Sequence, residues 1–264
     1  MFLPISQNFK KNLNLISVTL PIIIIGCYGL MDLITQFTLT KLIFFLVGYF
    51  VITVVGVTAG LHRYFSHKSY RISTWKENIL LYAAVLSGQG SPVWWAALHR
   101  GYHHRKADTI NDPHSPIHGF WHSTILWIFR IDTEAVSFRS VVDLLRKPNV
   151  VWFSTHYKSI FLLSNLVFLL ISWEFFLFFS MLPCLLALFT YNITNSVTHL
   201  KQFGYTNFET KDNSVNVPFL WPFVLGECWH NNHHARPGNS YFGQHWWEFD
   251  PSGLFIKLFK DSDR

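Results

Sequence analysis

At 264 residues the chain is long enough for one domain of ordinary size. Half of it is hydrophobic and 14% is charged. A soluble globular domain carries about 25% charged residues, so the composition excludes a typical water-soluble enzyme. The net charge of +6 comes without a basic helix or RNA-binding motif, so it does not suggest nucleic acid as a partner.

A membrane-spanning helix takes about 20 predominantly apolar residues. Residues 13–34 meet this, with Asp32 near the end and a kink expected at Pro21; the run is read as a span rather than a cleaved leader. Residues 41–61 form a second span that ends directly in His62. A third is expected over 160–179 and a fourth over 181–197, joined as a tight hairpin. Lys10 and Lys11 precede the first span, and Lys68, Arg71, Arg100, Arg105 and Lys106 follow the second. The positive-inside rule then places both termini and the 62–158 segment in the cytoplasm. Within that segment, 75–87 and the aromatic-rich 119–130 are expected to lie at the membrane interface. The expected fold is an all-α integral membrane protein of about four transmembrane helices. Residues 62–158 and 198–264 form a cytoplasmic helical cap on this single domain.

Cys27, Cys184 and Cys228 are odd in number and unspaced, so they give neither a disulfide framework nor a cysteine-type zinc site. Histidine is the over-used polar residue, with 14 copies. His62 and His67 form H-x4-H where the second span leaves the bilayer, and His99, His103 and His104 form H-x3-H-H. His199 follows the fourth span, one helical turn after Asn195, and His230, His233 and His234 form H-x2-H-H. Helical residues three to five apart share a face, so each cluster can aim several imidazoles at one point. Nine neutral imidazoles can supply two metals with four or five ligands each. Without clustered cysteines or carboxylates, zinc-finger and calcium-type sites fit poorly, whereas iron, zinc or copper suits imidazole.

The segments "GVTAGLHRYFSH", "HRGYHH", "DPHSP", "NSVTHL" and "GECWHNNHH" occur in this order between Gly56 and His234. Together they resemble the acyl-CoA Δ9 class of membrane fatty acid desaturases. The resemblance implies an O2-dependent oxidoreductase that inserts a cis double bond into a long-chain acyl thioester or lipid. It implies two iron ions, with zinc as an inactive substitute, on His62, His67, His99, His103, His104, His199, His230, His233 and His234. Asn195 would reach one metal through water. The second box is one residue longer than the H-x2-H-H of the close family. His99 is nonetheless retained as a ligand, since i, i+4 and i+5 fall on nearly one side of a helix. Asp108 and Asp112 either orient ligating rings or simply build turns. His114 is expected to be structural, and His118, His122, His156 and His245 interfacial.

Trp94 and Trp95, just before His99, are candidate walls of an acyl tunnel or members of an interface belt. Phe50, deeper in the second span, is a candidate tunnel floor or a lipid-facing residue. Arg100, with Arg105, Lys106 and Arg236, suits an anionic headgroup on coenzyme A, a carrier protein or a phospholipid. No haem-domain, flavin or iron–sulfur motif is present. The electron donor is therefore expected to be a separate ferredoxin, cytochrome b5 or rubredoxin, drawn by a basic surface. A membrane hydroxylase with similar histidine boxes is the rival enzyme. A metal transporter is the remoter rival, since its ligands should lie near the bilayer midplane rather than outside the apolar runs.

Overall fold

The computed structural model describes residues 12–261; the expectations for Lys10 and Lys11 lie outside them. The regular structure among the described residues is helical, with isolated bridges such as Tyr205–Asn216 and Asn216–Trp229. Three helices are long and apolar enough to cross a membrane: α1 (Leu13–Thr35), α2 (Leu39–Ser66) and a later one over Trp173–Val197. After α2 come α3 (Thr74–Leu86), α4 (residues 92–106) and α5 (residues 122–130). Next are α6 (Pro148–Thr155) and α7 (Tyr157–Ile171), which together form a fourth candidate span bent by 67° at His156. The chain ends with α8 (Trp173–Val197) and the shorter α9 (Trp221–Val224), α10 (His230–Ala235) and α11 (Pro251–Phe259).

The hairpin between the last two spans turns at Ser172, not near residue 180. Ser172 is fully extended, with φ −166° and ψ 155°, and its hydroxyl accepts from the Phe175 backbone N–H at 2.9 Å. It is an N-cap, and Glu174 sits favourably in the first turn it opens. A hydropathy window averages over one serine and therefore misses this boundary. At the hairpin between the first two spans Lys41 donates to Asp32 Oδ2 (2.6 Å) and to the Gln36 carbonyl (2.9 Å), tying α1 to α2.

Two glycines let α2 come very close to its neighbours. A Cβ on Gly48 would meet the Phe179 carbonyl oxygen at 2.1 Å, and one on Gly56 the Ala83 oxygen at 2.4 Å. Small residues at such crossings allow backbone-to-backbone packing inside a membrane. One core joins Val18, Ile22 and Ile52 to Phe178, Met181 and Cys184 among the spans. A second, built from Val55, Ala59, Leu80, Ala96, Trp127 and Leu188, carries the packing up into the cap. The histidines of α2 and α4 project from this junction, and those of α10 stand on a third core around Trp229 and Phe242.

Candidate metal centre

Two stretches of wide i→i+5 helix shape the first two histidine boxes. Residues 50–66 of α2 and 99–103 of α4 are π-helical. The His67 N–H bonds the His62 carbonyl at 3.1 Å, and the His104 N–H bonds that of His99. Such a turn stacks residues five apart, an arrangement frequent at functional sites. The pairs His62/His67 and His99/His104 have the same spacing and the same geometry, which gives the longer second box its physical reason.

The nine histidines divide into two groups. His62, His67, His99, His104 and His233 each bring one ring nitrogen within 4.8 Å of the others, and so do His103, His199, His230 and His234. Neighbours in sequence part company, His103 from His104 and His233 from His234. Successive helical positions point about 100° apart, so one short segment serves two centres. The Nε2 atoms of His62 and His233 lie 3.0 Å apart, those of His67 and His99 2.8 Å, and those of His104 and His233 2.9 Å. In the second group the His199 and His230 Nε2 atoms are 3.2 Å apart. Two nitrogens at right angles around an ion about 2.1 Å away are about 3.0 Å apart, so these spacings match edges of a coordination shell. His103 Nε2 and His234 Nε2 are buried without a hydrogen-bond partner. The donor set fits two imidazole-bound metal ions.

The opposite face of several rings is held by carboxylates. Asp112 Oδ2 lies 3.2 Å from His103 Nδ1, Asp108 Oδ2 lies 3.1 Å from His199 Nδ1, and Asp212 Oδ2 lies 2.7 Å from His234 Nδ1. Glu227 Oε2 lies 2.5 Å from His62 Nδ1. An Nδ1–H donated to a carboxylate fixes the tautomer that leaves the Nε2 lone pair free for a metal. Asp108 and Asp112 thus sit where ring-orienting carboxylates belong. Asp212 and Glu227 escaped the sequence reading. Glu227, three residues ahead of His230, could have been suspected from its place beside the third box, whereas Asp212 carries no such signal. His114 Nδ1 lies 2.9 Å from Asp112 Oδ1, so one carboxylate holds two rings.

Electrostatics keep the rings in the metal-binding form. Burial, reinforced by neighbouring histidines, pushes His67, His99, His104, His230 and His233 well below the usual imidazole value. Burial lowers His234 to about 4, even though Asp212 pulls the other way. Burial would raise the carboxyl of Glu227, but His62 and Arg63 hold it below its ordinary value. Arg63 is itself sealed from solvent: its guanidinium donates to Glu227 Oε1 (2.8 and 3.0 Å), Asp250 Oδ2 (2.7 Å) and the Ser240 carbonyl. Its Cζ lies 3.7 Å from the centre of the Phe242 ring, which packs 4.4 Å from that of His233.

Beside His99 lies a narrow cavity, walled by Trp94, Trp95, Leu188, Tyr191 and Asn195 among others. Trp95 stacks on His99 with centroids 5.0 Å apart and donates from Nε1 to Gln89 Oε1 (3.2 Å). The two tryptophans therefore face the cavity. Phe50 does not. Its ring is 46% exposed and meets Phe255 edge-on at 5.7 Å, outside the cavity wall. Arg100 is also placed differently from expectation: its guanidinium donates to the carbonyls of Phe65, Ser66 and Ser140 and pairs with Asp143 at 2.7 Å. Those bonds occupy the donors a headgroup would need. His118, His122, His156 and His245 lie outside both histidine groups.

The sequence profile of the fatty acid desaturase family matches residues 38–251. The chain is 37% identical to the Delta-9 desaturase-like 4 protein of Arabidopsis thaliana, over 80% of this chain and 71% of that protein. It is 33% identical to an sn-2 palmitoyl-lipid 9-desaturase of Nostoc sp., covering 77% and 73%. Identity to an acyl-CoA 5-desaturase of Anemone leveillei is also 33%, covering 90% and 75%. With its candidate spans and its histidine cluster, the chain is an integral membrane oxidoreductase that belongs to the fatty acid desaturase family.

Proposed function

We propose that the chain is an O2-dependent desaturase that places a cis double bond, at the Δ9 position, in a long acyl chain held on coenzyme A or a glycerolipid. The observation that carries this reading is the pair of imidazole groups, five and four, set beside a tryptophan-walled cavity. His62, His67, His99, His104 and His233 would hold one iron, and His103, His199, His230 and His234 the other, with Asn195 next to the second set through water. When bound, the iron pair supplies the oxidising power, from O2 and two external electrons, that no amino-acid side chain has.

The protein's part is placement. Trp95, fixed by Gln89 and stacked on His99, forms a rigid wall against which an apolar chain can lie at one register. The apolar lining keeps water from the reacting carbons. Asp108, Asp112, Asp212 and Glu227 keep their imidazoles in one tautomer and orientation. Basic residues around the cap, Arg105, Lys106 and Arg236, support a cytoplasmic cap and an acidic electron donor of the ferredoxin, cytochrome b5 or rubredoxin type. The spans and the cap are read as one working unit.

The test is fatty acid analysis of cells that express the protein with a matched donor. New 9-monoenes that vanish in His99→Ala are expected. Hydroxylated products instead would identify the rival hydroxylase, and no new product with any donor would count against the reading.

A further inference from the structure

Residue 255 near the C-terminus touches the membrane helix α2 within its first half. Phe50 lies eleven residues beyond Leu39, where the 28-residue span begins, hence about 16 Å along its axis at ~1.5 Å per residue. With a hydrocarbon core about 30 Å thick, that depth is well inside the bilayer. Phe255 of α11 packs edge-on against this ring. One residue earlier on the same span, the Tyr49 hydroxyl donates to the Phe223 carbonyl of α9.

From these two contacts outward, both short helices carry uncovered apolar side chains. Leu258 is 87% exposed and Phe223 59%; Leu254 and Phe219 are exposed beside them. Leu254 and Leu258 are four apart and make one stripe, opposite the buried Ser252, Gly253 and Ile256. The stripe continues the lipid-facing surface of α2, where Ile43, Leu46, Val47 and Phe50 are also exposed. Lys257 and Lys260 flank it and have stems long enough to return their charges to water.

We infer that α9 and α11 are embedded in the leaflet nearest the metal-binding cap, with Phe219, Phe223, Leu254 and Leu258 in contact with acyl chains. Helices with one apolar stripe and flanking lysines bury that stripe among acyl chains and keep their charges at the boundary. The embedded element is tied to the metal centre. Asp250, the N-cap of α11, accepts from the Gly253 N–H (2.9 Å) and from Arg63, and Arg63 holds Glu227 against His62. The cap is therefore fastened to the bilayer at the residue that closes the Arg63–Glu227–His62 chain. This inference rests on the spans and their contacts, not on the reaction.

The experiment uses the full chain in lipid nanodiscs, with Cys27→Ser as background, since Cys184 and Cys228 are buried. An environment-sensitive fluorophore is placed at Leu258→Cys or Phe223→Cys, with Glu209→Cys on the exposed cap surface as the reference. Lipids brominated on their acyl chains should quench the labels at 258 and 223 at least twofold more than the label at 209, and aqueous iodide at least twofold less. Iodide quenching equal to that at Glu209 would overturn the inference. So would protection from both quenchers, which would mean that a protein surface, such as a second copy of this chain, covers the stripe.

Discussion

His62 and Glu227 face each other across 2.5 Å, one from the end of α2 and one from the loop before α10, and each is 98% shielded from solvent. Glu227 in turn takes two bonds from Arg63. The carboxylate thus serves a ring that points into the five-histidine group and a cation that neutralises it. Glu227→Gln keeps the shape and removes the charge. It should weaken metal binding about 10–100-fold, with occupancy falling from two ions per chain towards one by elemental analysis. Unchanged affinity in reconstitution titrations would show that Glu227 only fills space.

Arg63 is the counter-charge to two buried carboxylates, Glu227 and Asp250. Arg63→Met removes the cation from both, leaving Glu227 to His62 and Asp250 to the Gly253 N–H. Breaking a buried ion pair from one side costs about 3–5 kcal/mol, so the variant should show a markedly lower Tm in detergent. The double variant Arg63→Met with Asp250→Asn should recover part of the loss.

His99 tests the long second box. His99→Ala removes one nitrogen from the five-membered group while leaving the His103 group intact. Activity should fall below detection and one of the two metal ions should be lost, with the protein still folded. His245→Ala, which removes a ring stacked on Trp247 outside both groups, should retain full metal content.

Chain length should be read by the cavity wall, not by Phe50. Leu188→Phe narrows the space beside His99 and should shift the preferred substrate towards shorter acyl chains, read by gas chromatography of competing substrates. Phe50→Ala should leave that profile unchanged, because its ring packs on Phe255 outside the cavity.

The metal-free protein should be acid-sensitive. Six of the clustered histidines, His67, His99, His104, His230, His233 and His234, have folded-state values below the ordinary ~6.5. Between those values and ~6.5 the unfolded chain binds more protons than the folded one, so stability falls as pH falls. Apo-protein Tm should therefore drop as pH goes from 7 to about 4, the value for His234. Metal-loaded protein should resist until protons displace the metal. A flat apo profile would mean that the rings are solvated when empty.

By itself the sequence determined the spans, the family and the identity of the nine clustered histidines. Hydropathy is summed over about 20 residues and survives local error, and an imidazole cluster has few structural alternatives. Even there it mislaid the turn at Ser172, because capping is a single-residue event. Tertiary structure alone decided which histidine joins which group, since His103 and His104 diverge only with respect to partners brought in by α2, α8 and α10. It alone paired Asp212 with His234 and Glu227 with His62, and Asp108 with His199 across 91 residues of chain. It also turned Arg100 inward and Phe50 outward. A side chain's direction depends on what packs against its helix, and that information resides in the other helices rather than in the local sequence.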